Sequence, residues 1–194
     1  ELSLVSDAVL HHMADTVTPQ GIVAVCQFLS QDLATVLARG ARHIVVLHEV
    51  KDPGNVGNIM RTADAAGADA VVVTAESVDV YNPKVVRAST GSIFHIPLVH
   101  RADLVHAIAD IQAAGLVVYA ADAGGRDLVS LRDEGSLAKP LAWLLGNEAH
   151  GLSAEAESVA DQVVAVPLYG QAESLSLPTA AAICLYEAAF AQRA

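Results

Sequence analysis

The chain is poor in cationic side chains. Its 194 residues include 11 Lys and Arg against 22 Asp and Glu, a formal net charge of −11. Because binding to phosphate backbones depends on Lys and Arg, this balance excludes a protein whose whole surface attracts nucleic acid. Any RNA binding must depend on a local patch. The residues Lys51, Arg61, Lys84 and Arg87 could form such a patch or could be scattered solvated charges, and the sequence leaves both interpretations open.

Cysteines and long apolar runs are also scarce. The two cysteines, Cys26 and Cys184, lie far apart within apolar stretches, which predicts reduced core thiols in a cytoplasmic protein rather than a disulfide. No uninterrupted apolar run reaches the roughly 20 residues of a membrane helix. The richest stretch, 180–191, is interrupted by Glu187. His150 has no His or Cys partner at ligand spacing. We therefore expect a soluble protein without a membrane span or a metal site.

The apolar residues that are present favour one α/β domain. Hydrophobic residues make up 53% of the chain, a proportion that suits a sheet buried on both faces. From residue 41 onward, predicted strands and helices alternate, which predicts a mostly parallel sheet with helices on both faces. The predicted strands are 43–50, 70–74, 96–100, 116–121, 141–145 and 162–166, and the predicted helices are 56–66, 83–90, 104–114, 153–158 and 178–192.

The first 29 residues do not show the alternation of strands and helices predicted from residue 41 onward. They predict a helix over 5–15, a turn and a strand over 22–29, which is too little to fold alone. The start, Glu-Leu-Ser-Leu, has no methionine and no signal sequence, so we expect an internal cut. We expect residues 1–29 to be the remnant of a preceding domain, 30–40 to be a linker and 41–194 to be the main domain.

A first polar motif follows the first strand of that domain. It reads Asp-Pro-Gly-Asn-Val-Gly-Asn-Ile-Met-Arg-Thr over residues 52–62. Asn55 is expected at or near the cap of the next helix, with Arg61 about two turns in. A helix N-terminus and a guanidinium could both address a phosphate. In isolation, Asn55 would be read as a cap and Arg61 as a surface residue.

Two further motifs also place polar turns at strand ends. Residues 144–153 read Leu-Leu-Gly-Asn-Glu-Ala-His-Gly-Leu-Ser, where Gly146 and Gly151 permit close backbone approach. Glu148 in this motif could simply cap the following turn. The third motif joins 166–170 and 173–177 to an Ala-rich helix. Since ligands of parallel sheets bind at the carboxyl ends of strands, the ends at Ala121, Gly146 and Val166 are expected to meet in one pocket.

Together and in this order, the three motifs resemble those of the SpoU (TrmH-like) family of SPOUT RNA 2′-O-ribose methyltransferases. The resemblance covers residues 41–194 and implies an α/β fold with a deep C-terminal trefoil knot. In that fold the chain would pass through the Gly-rich loop 122–127. The family's cofactor is S-adenosylmethionine, and its substrates are ribosomal or transfer RNA.

The resemblance also implies roles for individual residues. Arg61 would act as general base on the ribose hydroxyl, with Asn55 and Glu148 holding it and the substrate, and Ser176 would complete the catalytic set. Cofactor contacts, several of them through the backbone, would involve Ala121, Gly146, Val166, Leu168, Gly170 and Leu175. The candidate RNA-phosphate contacts are Lys84 and Arg87, and their alternative is a basic solvent-facing helix surface. Members are homodimers, which makes helix 180–191 a candidate interface.

One residue departs from the family pattern. The family usually has Ser-Leu-Asn where this chain has Ser174, Leu175 and Ser176, and a short hydroxyl replaces a longer carboxamide. This difference keeps open a catalytically weak or inactive protein of the same fold that binds RNA or cofactor. A nucleotide-binding regulator or oxidoreductase would require a G-x-G-x-x-G turn, and residues 51–57 do not match it.

Overall fold

The computed structural model describes residues 2–14 and 16–194, so Glu1 and Asp15, the predicted end of the first helix, lie outside the described residues. A six-stranded sheet has the order β3-β2-β1-β5-β4-β6, and every pair of neighbouring strands is parallel. The strands are β1 His43–Leu47, β2 Ala70–Thr74, β3 Leu98–Ala102, β4 Val117–Asp127, β5 Leu141–Leu145 and β6 Gln162–Ala165. The predicted α/β fold with a mostly parallel sheet is confirmed.

Helices cover both faces of this sheet. They are α1 Asp7–Met13, α2 Leu33–Ala38, α3 Pro53–Ala66, α4 Pro83–Ala88, α5 Leu104–Ala113, α6 Leu128–Asp133, α7 Ala154–Ser158 and α8 Leu177–Arg193. Alternate residues of β1 enter two different cores because side chains alternate along a strand. Val45 packs in one core with residues of α3, α4, α6 and α8, and Ile44 packs in the other with residues of α2, α5 and α7. Within the described residues, none of these helices has the length and apolar character needed to cross a bilayer.

Several element boundaries differ from the predicted ones. Strand β1 ends at Leu47 rather than at residue 50, and Glu49 has a φ of 56°, which extended strands do not accommodate. Helix α3 begins at Pro53 and its cap is Asp52, whose Oδ1 accepts a hydrogen bond from the Asn55 amide at 2.9 Å. Asn55, expected at or near the cap, therefore lies three residues after it, in the first turn of the helix. Helix α6 was not predicted from the sequence.

The segment before residue 30 does not contain the predicted strand. Among residues 16–29 the structure has no strand, because this apolar stretch has no partner strand along it; only Ser30 forms a bridge, with Leu98. The core position predicted for Cys26 is also wrong, since this thiol is exposed. Cys184 is buried as predicted, and burial raises the pKa of its thiol to about 12. Helix α1 has no buried residue, and the assignment of 1–29 to a preceding domain stays a prediction.

Strand β4 contacts β6 in an unusual way. Ala121 pairs with Val164, the chain then leaves the ladder, and Arg126 pairs with the same Val164. We call residues 121–126 the β4 loop. A Cβ on Gly125 would lie 2.4 Å from the backbone nitrogen of Val164, so the loop and β6 are in close backbone contact. The deep knot stays a prediction, and this close passage favours it.

Candidate active site

A cavity of about 310 Å³ lies at the carboxyl ends of β4, β5 and β6. Its walls come from residues 121–123, from 146–151 and from the segment after Val164. We call it the strand-end cavity. The three strand ends predicted to converge do converge here. Six of the predicted site residues line it: Ala121, Gly146, Glu148, Val166, Leu168 and Leu175.

The floor of the strand-end cavity is a tight turn. The amide of Asn147 donates to the carbonyl of Gly151 and the amide of Gly151 donates to the carbonyl of Asn147, both at 2.9 Å. A Cβ on Gly146 would lie 2.6 Å from the Gly151 oxygen, so only glycine fits at this position. The turn therefore brings backbone close to any ligand in the cavity.

The lining of the cavity includes two carboxylates that were not predicted as site residues from the sequence. Asp122 follows the straight part of β4, and its Oδ2 lies 3.5 Å from the amide of Leu152. Glu173 lies in the third motif. The position of Asp122 directly after an apolar strand was the signal available in the sequence. Together they give the cavity a negative charge, which favours a cationic ligand. Among the described residues, no His, Cys, Asp or Glu side chains group closely enough to bind a metal ion.

Glu148 joins the first motif to the second. Its carboxylate accepts hydrogen bonds from the backbone amides of Lys51 at 3.2 Å and Asp52 at 3.0 Å, and from Asn55 Nδ2 at 3.1 Å. Partial burial acts to raise the pKa of this carboxyl, but the hydrogen bonds from the amide of Asp52, from its own amide, and from Asn55 and Lys51 together lower that pKa below its ordinary value. The anionic form of Glu148 thus fixes the start of α3.

The variant Glu148→Gln tests this role. We expect a loss of about 1–2 kcal/mol in unfolding free energy at neutral pH. Hydrogen bonds to charged groups are worth about 1.5–3 kcal/mol, and the value is lower here because the Glu148 carboxylate is partly exposed to solvent. The folded-state pKa lies below the unfolded one, so the contribution is complete above the unfolded pKa and disappears as the pH falls through the folded pKa. Urea unfolding at a series of pH values should show that the unfolding free energies of the unsubstituted chain and of Glu148→Gln differ by a constant amount near neutrality. This difference should shrink below about pH 4.

Glu155→Gln is the matched control for that variant. Glu155 is an exposed acid in the first turn of α7 whose side chain accepts no hydrogen bond from the described residues. Equal effects of the two substitutions at every pH would show that the hydrogen bonds of Glu148 contribute nothing specific.

The predicted basic residues lie outside the strand-end cavity. Arg61 is exposed on α3, about two turns after the start of the helix at Pro53. Helix α4 packs directly against α3, where a Cβ on Gly57 would lie 2.6 Å from the carbonyl of Val85. Lys84 and Arg87 on α4 are therefore close to α3. The Lys84 ammonium lies 3.8 Å from Asp52 Oδ2, which makes it part of an exposed ion pair.

Two other predicted residues also lie outside the lining. Ser176 precedes α8 at its N-cap, and its Oγ lies 2.7 Å from Thr179 Oγ1 rather than on a backbone amide of the helix. Gly170 is exposed in the loop between β6 and α8. The structure therefore brings together the residues predicted to contact the cofactor through their backbone and Glu148, to which Asn55 is hydrogen-bonded. Arg61, Ser176 and Gly170 do not line the strand-end cavity.

A parallel α/β domain with a cavity at the carboxyl ends of its strands belongs to the class of proteins that bind small-molecule ligands at that edge. Comparison with known proteins defines the class more closely. The model of the SpoU rRNA Methylase family matches residues 42–186, and the chain belongs to this family.

Three relatives illustrate the similarity. The chain is 40% identical over 184 residues to the 23S rRNA (guanosine(2553)-2′-O)-methyltransferase RlmP of Bacillus subtilis, covering 94% of this chain and 70% of that protein. The structure of the AdoMet-bound rRNA methyltransferase from Sinorhizobium meliloti has a TM-score of 0.82 at 32% identity, covering 94% of this chain and 69% of that one.

The SpoU methyltransferase AviRb from Streptomyces viridochromogenes, solved in complex with AdoMet, has a TM-score of 0.73 at 36% identity, covering 84% of this chain and 65% of that one. The chain therefore spans about two thirds of the length of these relatives.

Proposed function

We propose that the chain is an S-adenosylmethionine-dependent methyltransferase that methylates a ribose 2′-hydroxyl of ribosomal RNA. The observation that carries this proposal is the bonding of Glu148 to Asn55, at 3.1 Å, at the edge of the strand-end cavity. It joins the motif expected to act on RNA to the motif expected to bind the cofactor. Relatives named as 23S rRNA 2′-O-methyltransferases support the choice of substrate.

The residues of the strand-end cavity fit the cofactor. S-adenosylmethionine, when bound, supplies a methyl group on a cationic sulfonium. The carboxylates of Asp122 and Glu173 give the cavity the opposite charge. The backbone at Gly146, Val166 and Leu175 offers amide and carbonyl groups that would form hydrogen bonds with the adenine and methionine parts of the cofactor. Ala121 and Leu168 contribute apolar wall, and Gly170 follows in the adjoining loop.

No residue of the chain would need to form a covalent intermediate, because the methyl group would pass directly from sulfur to the ribose oxygen. The oxygen–carbon bond would form as the sulfur–carbon bond breaks, and S-adenosylhomocysteine would leave. Arg61 positions that hydroxyl and promotes loss of its proton. Since the reference pKa of arginine is above 12, this role would depend on pairing of the guanidinium with a substrate phosphate or on positioning of the hydroxyl. Glu148 and Asn55 hold the start of the helix that carries Arg61. Ser176 offers one short hydroxyl toward the substrate.

We propose that the enzyme acts as a homodimer in the cytoplasm, where ribosomal RNA is modified. Arg61 does not line the strand-end cavity of its own chain, which supports an active site completed by a second copy. Helix α8 offers an apolar face for that contact: Tyr186 and Phe190 lie side by side with ring centroids 5.6 Å apart, and Phe190 is 66% exposed. Lys84 and Arg87 beside α3 are proposed RNA-phosphate contacts.

Incubation of the chain with labelled S-adenosylmethionine and unmodified 23S rRNA, followed by alkaline digestion, tests the proposal. We expect label in alkali-resistant dinucleotides, because 2′-O-methylation blocks the hydroxyl that alkaline cleavage requires. Cofactor binding by calorimetry without any transfer would instead favour a non-catalytic binding protein. Ser176 in place of the usual Asn is the observation that favours that second candidate.

A further inference from the structure

A second cavity of about 310 Å³ lies at the carboxyl ends of β2 and β3. It is separate from the strand-end cavity, and none of the motif residues lines it. We call it the aromatic cavity because three rings meet there. The centroids of Phe28 and Tyr81 are 4.5 Å apart, and those of Tyr81 and His100 are 5.2 Å apart with the rings nearly perpendicular. Its volume lies near the lower end of the range of about 300–1,000 Å³ typical of ligand pockets.

Three polar side chains of this cavity can form further hydrogen bonds or ion pairs. Neither the ring nitrogens of His100 nor the guanidinium of Arg101 has a hydrogen-bond or ion-pair partner within residues 2–14 and 16–194. The Tyr81 hydroxyl accepts from the amide of Leu29 at 3.1 Å, and its own proton is free to be donated. Aromatic faces beside free donors and a cation are the groups that recognise a nucleobase and its phosphate.

Arg101 is placed at the cavity by a β-bulge. Val73 pairs with His100 and Thr74 pairs with Ala102, so Arg101 is the extra residue of β3. Its φ of 58° is unusual for a residue other than glycine. Bulges turn side chains in new directions and are common beside functional sites. Without this bulge the alternation of β3 would not place His100 and Arg101 on the same cavity.

The aromatic cavity is connected to the proposed active site through residues 50–52. The amide of Val50 donates to Ser77 Oγ at 3.2 Å, and the amide of Val78 donates to the carbonyl of Val50 at 2.9 Å, so the cavity wall is fixed to this segment. The next two amides, of Lys51 and Asp52, donate to Glu148. Both cavities therefore open at the same edge of the sheet, with the start of α3 between them.

Both signs of charge are present beside the aromatic cavity, whose lining includes the carboxylate of Asp79 as well as Arg101. Lys51, whose ammonium donates to the carbonyl of Glu76, lies between the two cavities, and Arg101 lies at the rim of the aromatic one. In a chain with a net charge of −11, these two cations beside contacting aromatic rings are the groups that would meet a phosphate at this cavity. Phe28 is 76% exposed, which leaves most of its ring free for a further contact.

We propose that the aromatic cavity binds one unstacked base of the substrate RNA, at a nucleotide near the one that is methylated. The base stacks with Phe28 and Tyr81, His100 reads its edge, and Arg101 pairs with the adjoining phosphate. This inference rests on the proposed function, since it assigns a second contact to the same RNA. Phe28, which lies in the segment assigned to a preceding domain, thereby becomes part of substrate recognition.

Photocrosslinking of the full chain tests the proposal independently of methyl transfer. Short single-stranded RNAs carrying 4-thiouridine or 6-thioguanosine are irradiated with the protein, and the crosslinked peptides are identified by mass spectrometry. We expect crosslinks within 77–81 and at Phe28 or His100. Phe28→Ala should weaken RNA binding roughly fivefold to hundredfold, the range associated with loss of one base–aromatic stack. The affinity for S-adenosylmethionine should not change.

Phe94→Ala is the control for Phe28→Ala, because Phe94 is also exposed, at 60%, and lies on a separate turn of 3₁₀ helix. Arg101→Asn tests the phosphate contact, since asparagine tolerates the positive φ at this position. It should reduce the slope of log affinity against log salt by about 1. Arg132→Asn, an exposed arginine on α6, should leave that slope unchanged.

The possible failures are distinguishable. Methyl transfer to 23S rRNA with crosslinks only outside the aromatic cavity, or equal effects of Phe28→Ala and Phe94→Ala, would overturn this proposal and leave the proposed function standing. Crosslinks displaced by uridine or adenosine monophosphate at the concentration of the RNA would assign the cavity to a free nucleotide and also overturn it. Absence of both crosslinks and methyl transfer would overturn both proposals.

Discussion

Arg61→Ala is expected to lower methyl transfer to 23S rRNA by at least roughly hundredfold, the lower range for loss of a group that assists proton transfer. The affinity for S-adenosylmethionine should remain within about twofold, because Arg61 does not line the strand-end cavity. Stability should also be unaffected, since the side chain is exposed and alanine is a good helix former. Single-turnover transfer, calorimetry and thermal unfolding measure the three quantities.

Arg132→Ala is the control for Arg61→Ala, because it removes an exposed arginine whose ion pairs are with Asp133 and Glu187 rather than with residues of the first motif. An Arg61→Ala protein with full transfer would contradict the assigned role. If cofactor affinity fell as much as the transfer rate, Arg61 would belong to the cofactor site instead. Mixing Arg61→Ala chains with chains unable to bind cofactor would restore part of the activity if each site uses the arginine of a second copy.

Gly125→Ala is expected to lower the free energy of unfolding by about 1–3 kcal/mol or more, the usual effect of overpacking. The added Cβ would lie 2.4 Å from the Val164 nitrogen and 2.5 Å from the Val163 carbonyl carbon, and both are backbone atoms that a rotamer change cannot move. Cofactor affinity should fall as well, since Ala121 and Val164, which pair at this point, both line the strand-end cavity. Urea unfolding and calorimetry check the two effects.

The neighbouring residue supplies a closely matched control. Gly124→Ala makes the same chemical change one position earlier, where a Cβ meets nothing within 4 Å. We expect it to be neutral or stabilising by about 0.4–1 kcal/mol, because alanine restricts the unfolded chain. Opposite signs at adjacent glycines would show that the contact with β6 is the cause. Similar losses at both positions would mean that the flexibility of the β4 loop matters instead.

The central strands could be predicted because they are buried on both faces and so appear in the sequence as continuous apolar runs. The same signal failed at 22–29, where an apolar run has no partner strand and remains exposed. Hydrophobicity indicates that a segment tends to be buried, but the rest of the fold decides whether a partner strand lies beside it. Strand β4 was predicted too short for the complementary reason, since its Gly-rich end pairs only because β6 lies beside it.

The candidate site was partly predictable. Three strand ends that meet at one edge follow from parallel order alone, and the strand-end cavity lies there. Asn55 was expected at or near the cap of α3, whereas Asp52 followed by Pro53 is the sequence signal of the cap itself and of the first helical residue. The aromatic cavity had no such signal. Phe28, Tyr81 and His100 are far apart in sequence, and only the folded chain brings their rings together.

The third wall of the strand-end cavity has a consequence for synthesis of the protein. Val164, Val166, Leu168 and Leu175 belong to the last part of the chain, so a ribosome translates them after both other walls already exist. A chain interrupted after β5 would carry Gly146 and Glu148 but no enclosed cavity. A nascent chain can therefore enclose the cofactor only after this third wall has been added, and copies that stop earlier cannot compete for the cellular supply of it.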